Sequence, residues 1–428
     1  MTTWDLASVQ TLVVLLVYFL MLTLFLRGRL GAWHPVTLYP GYWAVILLLP
    51  SAVDLGIDAP SPPALAIVAV GVTALAVGAV CAQAWVPRRE LVAAPTYPVN
   101  LVLALSGLAG LFLVGHASFR TGIESATGTS FDELDSVTVR YAQNYLEGSS
   151  GGPLTVFFGL GAIVLALLLW AGRRFSRLFY LPMLVVAAAI VDSPARTYTL
   201  SVAAACVAFA CYLRATSTGG ARMRPARLLG AALLIGGAAM AYFLSVGQSL
   251  NKGQSLHRVS GGGWLPDPVR ELILYFSGGV VALSNALAAN EDPSALGGGR
   301  SLAGLIRLVS LIDPGVRRVE TIAPVSYIPV PFNLYTAPGD VWFDLGWVGL
   351  IALFFLFGLA LGVAHARAVT GDPGAMFVGA VLIASLAATP LNLNLFAVQN
   401  MMVLVVGWLV FRGLSWSPFA AAGRGRSR

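Results

Sequence analysis

Charge is scarce in this chain. Only 11% of its 428 residues are Asp, Glu, Lys or Arg, where a soluble domain carries about a quarter. That excludes an ordinary water-soluble fold. Cysteine is nearly missing too. Cys81, Cys206 and Cys211 all lie inside apolar runs, so they read as small core residues and leave no disulfide or Cys-metal framework. The four histidines (His34, His116, His257, His365) are scattered and lack metal-ligand spacing. No Walker motif, D-x-D pair or G-x-S-x-G elbow is present, and neither Gly261–Gly263 nor Gly297–Gly299 leads into a P-loop Lys-Ser/Thr. No internal repeat is visible, which counts against an inverted-repeat transporter. Alternating apolar and polar strands of a membrane barrel are missing as well.

What the chain has instead is continuous apolar sequence. It is 57% hydrophobic with a mean hydropathy of +0.81. Its apolar runs of about 18–22 residues match the length a helix needs to cross a bilayer core. The expected fold is an all-α polytopic membrane protein, a single transmembrane domain over 1–428 with about 11 spans (10–12). We place them at 6–26, 36–53, 64–86, 98–116, 152–171, 178–191, 197–213, 228–246, 341–364, 374–391 and 395–411. The first is too long for a secretory signal and lacks a cleavage-type flank, so it is read as a span.

If the spans alternate, one side receives Arg27, Arg29, Arg88, Arg89, Arg173, Arg174, Arg177, Arg214, Arg222, Arg224, Arg227, Arg367, Arg412, Arg424, Arg426 and Arg428. Of the 19 acids, that side holds only Glu90 and Asp372. The bias predicts a cytoplasmic basic side, with the N-terminus outside and the C-terminus cytoplasmic. It also explains the net charge of +7 without nucleic acid, which is not expected as a partner.

Two long extracytoplasmic loops follow. The segment 117–151 is acidic, with room for a short helix around Asp132–Tyr145. The segment 247–340, between the eighth and ninth spans, gathers most of the outward polar groups. Within it, Asp267–Asn285 has a Pro near its start and a helical apolar pattern. It reads as an interfacial or re-entrant helix.

Several residues have chemistry to offer. Arg196, in Asp192-Ser-Pro-Ala-Arg-Thr197, stands at the outer end of a helix pair. It offers an anion a guanidinium fork; the plainer alternative is a snorkelling Arg paired with Asp192. The long loop adds Lys252, His257, Arg258, Arg270, Glu271, Arg300, Arg307, Arg317 and Arg318. An outward cluster of cations suits an anionic lipid headgroup or lipid pyrophosphate, against a solvated loop balanced by its own acids. Asp344 falls in the first turns of an apolar span, where an acid is costly and usually functional. Gly346 and Gly349, like the G-x-x-x-G pair Gly358 and Gly362, read as thin helix faces for close packing.

These pieces together resemble a known family. A Pro-Ala-Arg-Thr turn before a span, Tyr275 with Gly278 and Gly279, Asn333-x-Tyr335-Thr336, and Asp344-x-Gly346-x-x-Gly349 at a helix start resemble the Wzy-type oligosaccharide repeat-unit polymerases, of the O-antigen polymerase and ligase superfamily. The resemblance runs from Asp192 to His365. It implies a metal-independent glycosyltransferase with no cofactor, in the bacterial cytoplasmic (inner) membrane with its active site on the extracytoplasmic face. An undecaprenyl-pyrophosphate-linked glycan would be transferred to the non-reducing end of another lipid-linked unit. Arg196, Arg258, Arg270 and Arg300 would neutralise the leaving pyrophosphate. Glu271 or Asp344, or Asp340, would take the acceptor hydroxyl's proton. Tyr275, Asn333 and Tyr335 would position sugar. Membrane lipids, a flippase and a chain-length regulator of the same pathway are the implied partners. Two alternatives stand beside it: a lipid-linked glycan ligase, and a polysaccharide or lipid transporter. The transporter requires polar residues buried mid-span and broken helices near the bilayer centre.

Overall fold

The computed structural model describes residues 6–52, 55, 57–86, 98–134, 157, 159–191, 196–216, 266–289, 300–302, 306, 309, 313, 326–328, 331–332, 335–391 and 398–414. The expected eighth span (228–246), Arg258 and Asn333 lie outside the described residues, as does 135–151 of the first loop.

Among the described residues the helices are α1 (Leu6–Leu30), α2 (Pro35–Ala52), α3 (Pro62–Trp85), α4 (Pro98–Thr127), α5 (Gly161–Arg174), α6 (Leu181–Val191), α7 (Arg196–Ala215), α8 (Asp267–Ala288), α9 (Ala337–Val369), α10 (Pro373–Ala387) and α11 (Val398–Gly413). A two-residue antiparallel bridge joins β1 (Ser326–Tyr327) to β2 (Pro331–Phe332). Five helices, α1, α3, α4, α8 and α9, are long and apolar enough to cross a membrane. Wide apolar faces are left uncovered, with Val14, Leu20 and Met21 on α1 and Leu181 and Leu184 on α6 exposed. In water such faces would drive aggregation; in a bilayer they meet lipid. The chain is an all-helical, membrane-embedded protein.

The chain divides into two compact units. The first holds residues 1–87, 244–363 and 385–398; the second holds the rest. In the first, α3 and α9 approach backbone to backbone. A Cβ on Gly78 would run into the carbonyl of Phe355, and one on Gly358 into the carbonyl of Leu75. Gly362 faces Ala79 and Ala82 in the same way, so the G-x-x-x-G pair is a packing face.

Three expectations change. First, α8 is packed on all sides, unlike the interfacial helix that was one of its two expected readings. A helix lying in an interface keeps one face in water, whereas α8 buries residues all round: Arg270, Ile273, Leu274, Ser277 and the run Val280 to Leu283. Its residues Val269–Ala288 are apolar and long enough to span. Ser284 receives the N–H of Ser61 at 2.8 Å, which ties α8 to the start of α3. Second, α4 does not stop near residue 116. It has 30 residues, about 45 Å at 1.5 Å per residue, and so overshoots a hydrocarbon core of about 30 Å. It ends where Gly128 adopts φ 70° and donates its N–H to Glu124. The chain then folds back: Phe131 packs on Phe119, lies under the Arg120 guanidinium at 4.7 Å, and donates its N–H to Glu124 Oε1 at 2.9 Å.

Third, α9 is broken. Gly346 has φ 63° and ψ −164°, a conformation that a residue with a Cβ avoids. Nothing lies near the place its Cβ would occupy, so Gly346 is there for the turn and not for close packing. The bend lays the Leu345 side chain over Gly349, where a Cβ would collide with it. A short piece, 337–345, therefore precedes a 347–369 piece about 34 Å long, enough to span.

The second unit has a different interior. Trp170, Phe209, Phe377 and Phe411 form an aromatic cluster; Phe411 stands 5.1 Å from Phe209 and 5.1 Å from Phe377 between ring centroids. Leu, Ile, Val and Ala from α4 to α7, α10 and α11 surround it.

Candidate functional site in the first unit

Buried polar side chains are distributed unevenly. Among the described residues, His34, Thr37, Arg270, Glu271, Ser277, Ser284, Ser301, Thr336, Asp340, Ser385 and Thr389 are buried in the first unit, and Thr199 alone in the second. The neutral ones mostly bond to backbone. His34 Nδ1 accepts the Val36 N–H at the start of α2, and the Thr37 hydroxyl donates to the Gly31 carbonyl. Ser277 and Ser284 donate to the carbonyls of Ile273 and Val280 one turn back. The charged ones need another explanation, because burying charge in a membrane protein is costly and marks function.

Arg270 is 1% exposed and Glu271 5% exposed. They occupy the first turn of α8, after Pro266, whose carbonyl accepts the N–H groups of Val269 and Arg270. Consecutive helix positions point about 100° apart, so α8 is enclosed on two sides where its charges emerge. Tyr275 follows Glu271 by four residues, on the same face, and is half-buried beside Phe276.

The second group lies at the start of α9. Tyr335 is 2% exposed and meets Phe343 edge-on at 5.9 Å. Thr336 caps the helix: its Oγ1 accepts the Gly339 N–H at 3.1 Å and its carbonyl accepts the Asp340 N–H at 2.8 Å. Asp340, 9% exposed, sits in the first turn, where a carboxylate is favoured by the helix dipole. Asp344 lies one turn on along the same face. Its Oδ2 accepts both the N–H of Ser301, at 2.6 Å, and the Ser301 hydroxyl, at 2.5 Å. Ser301 belongs to the turn Arg300–Leu302, so the structure fastens the backbone of that turn to Asp344.

A third feature was missed in the sequence. α10 ends at Ala387 and its last turn meets the start of α9. Ala337 donates its N–H to the carbonyl of Thr389 at 2.7 Å. Tyr39 hydrogen-bonds Thr389 Oγ1 at 2.9 Å, and Tyr42 donates to the carbonyl of Ala387 at 2.7 Å. Gly279, near the middle of α8, is pressed by Thr336 and the Pro390 carbonyl, and Pro338 packs on Gly71, well inside α3. Two helix ends thus meet at mid-length of their neighbours, with their backbone groups satisfied as an apolar setting requires. Pro390 near the end of an apolar run, and two tyrosines inside α2, were the available signals.

Arg196 is the first residue of α7 and belongs to the second unit, whereas Arg270, Glu271, Tyr275, Arg300, Tyr335, Asp340 and Asp344 belong to the first. No protein-family model, curated protein or solved structure matches this chain. Its functional reading therefore rests on its own residues.

Proposed function

We propose that the chain is a membrane glycosyltransferase that polymerises lipid-linked oligosaccharide units on the outer face of the cytoplasmic membrane. The observation that carries this reading is Arg270 and Glu271, one cation and one carboxylate buried at consecutive positions of an apolar helix. Glycosyl transfer from a lipid pyrophosphate calls for those two groups. The acceptor hydroxyl oxygen bonds to the donor's anomeric carbon as that carbon's bond to the pyrophosphate oxygen breaks. The pyrophosphate leaves with the electron pair and is stabilised by Arg270. The hydroxyl proton passes to Glu271. Tyr335 and Tyr275 offer aromatic faces and hydroxyls to sugar, and the exposed apolar helices fit a polyprenyl chain arriving through lipid.

The test is a gel of lipid-linked and surface glycan from a deletion strain complemented with the wild type or Arg270→Lys, which keeps the charge and loses the fork. Loss of the ladder, with accumulation of single lipid-linked units, is the expected result in the deletion strain, with Arg270→Lys restoring short chains at most. An intact lipid-linked ladder that never reaches its final acceptor would indicate the ligase.

One observation favours the transporter as a second reading. The break at Gly346 and the meeting of α9 with α10 at mid-length of α8 are the interrupted helices such proteins use. An unchanged glycan profile on deletion, with lipid-linked glycan flux through purified protein in vesicles, would establish it.

A further inference from the structure

We propose that Asp344 is a positioning residue: its Oδ2 pins the Arg300–Leu302 turn to the short first piece of α9, holding Arg300 in place, and it does not serve as the base. The assignment of Arg300 to substrate rests on the glycosyltransferase reading above; the latch itself does not.

The geometry carries the argument. Two donors from one residue converge on one carboxylate oxygen, at 2.6 Å and 2.5 Å. Both bonds are charge-assisted and close a separation of 43 residues. Ser301 is 3% exposed, so water does not compete for either donor. The N–H concerned belongs to the peptide unit joining Arg300 to Ser301, and fixing that plane fixes the backbone from which the Arg300 side chain departs. The carboxylate end is equally constrained. Asp344 lies two residues before the Gly346 break, in a piece whose start is held by the Thr336 cap and the Ala337–Thr389 bond. A general base needs an oxygen able to reach the acceptor hydroxyl. Oδ2 already takes two hydrogen bonds, so it is committed to the Ser301 turn, and the carboxylate plane is fixed by that turn. Glu271, on a separate helix, keeps the role of proton acceptor proposed above, with Asp340 the other carboxylate of the set.

Both bonds go to a single oxygen, and this makes the idea testable by isosteric replacement. In Asp344→Asn the amide Oδ1 accepts the same two donors; in Asp344→Ala neither is held. Full-length protein in detergent is treated with trypsin, and cleavage of the Arg300–Ser301 bond is timed. The same preparations are supplied with lipid-linked glycan extracted from a deletion strain, and chain extension is measured against pH. Cleavage in Asp344→Ala is expected to quicken about tenfold and extension to fall about tenfold, the scale of a lost hydrogen bond to a charged group. Asp344→Asn should rescue both to within about threefold and keep the acidic limb of the wild-type pH profile. Ser301→Ala, which keeps the N–H bond, should fall between them. Unchanged trypsin timing in Asp344→Ala overturns the latch. Asp344→Asn that stays protected from trypsin yet is as inactive as Asp344→Ala overturns the positioning role and makes Asp344 the base. If wild-type protein extends no glycan while the trypsin order holds, the latch stands and its role in glycosyl transfer falls with the glycosyltransferase reading.

Discussion

The two units of this protein bury opposite chemistries. The second is filled with aliphatic side chains around Trp170, Phe209, Phe377 and Phe411, and Thr199 is its one buried polar residue among those described. The first buries a guanidinium, two carboxylates and a series of hydroxyls. In a bilayer, apolar packing between helices gains little over contact with lipid tails, so the second unit is held by close fit. Polar groups in the first unit gain from hydrogen bonds but carry a desolvation cost, and ionised ones carry the most. A chain of so few charges that encloses Arg270, Glu271 and Asp340 in one unit points to where its chemistry lies. It also casts the other unit as scaffold.

That division is most exposed to a substitution that alters charge without altering shape. Glu271→Gln keeps the volume and removes the proposed proton acceptor. Chain extension should fall about a hundredfold or more, the lower range for a lost general base, while the protein stays monodisperse in detergent. A variant that extends chains at the wild-type rate would move the base elsewhere and leave the buried carboxylate as a structural feature.

The converse belongs to the second unit. Phe411→Ala empties a position shared by Trp170, Phe209 and Phe377. Stability should drop on the order of 3 kcal/mol. Extension per folded molecule should stay within about twofold, read by normalising product to the protein that survives size-exclusion chromatography. Lost activity at full stability would show that the aromatic cluster does more than support.

Much of the architecture was legible in the sequence because a bilayer imposes a length and a composition on helices. Helices occur at ten of the expected spans, and the structure adds that Thr336 caps α9 with Tyr335 buried beside it, a helix start that the sequence reading did not foresee. What was not legible depended on neighbours. Asp267–Ala288 has a composition that suits an interface or an interior equally, and only its packing on α2 and α3 decides between them. α4 runs past the bilayer thickness because nothing in Ser118–Thr127 stops a helix once it is in water, and the loss of hydrophobicity was mistaken for its end. Gly346 was noticed for the wrong reason; a glycine serving a bend and one serving a close contact look alike in sequence. The Ser301–Asp344 bond joins positions 43 residues apart, and no local pattern announces it.

The smallest expected effect tests the scaffold idea most finely. Within the second unit, Tyr212 on α7 hydrogen-bonds His365 Nδ1 at 2.9 Å, and its ring packs against Gly379. Tyr212→Phe keeps the ring and loses the bond. The cost should be about 1 kcal/mol of stability, with chain extension unchanged. The substitution is informative because His365 lies near the end of α9, whose earlier residues, through Val363, belong to the first unit together with Asp340 and Asp344. If the 347–369 piece is a passive strut, a hydroxyl lost at its far end is felt only as stability. Should extension fall tenfold while the thermal midpoint barely moves, the helix transmits its setting to the site. The second unit would then have to be counted as part of the machinery, and the sharp division between the units would fail at α9, a helix that belongs to both.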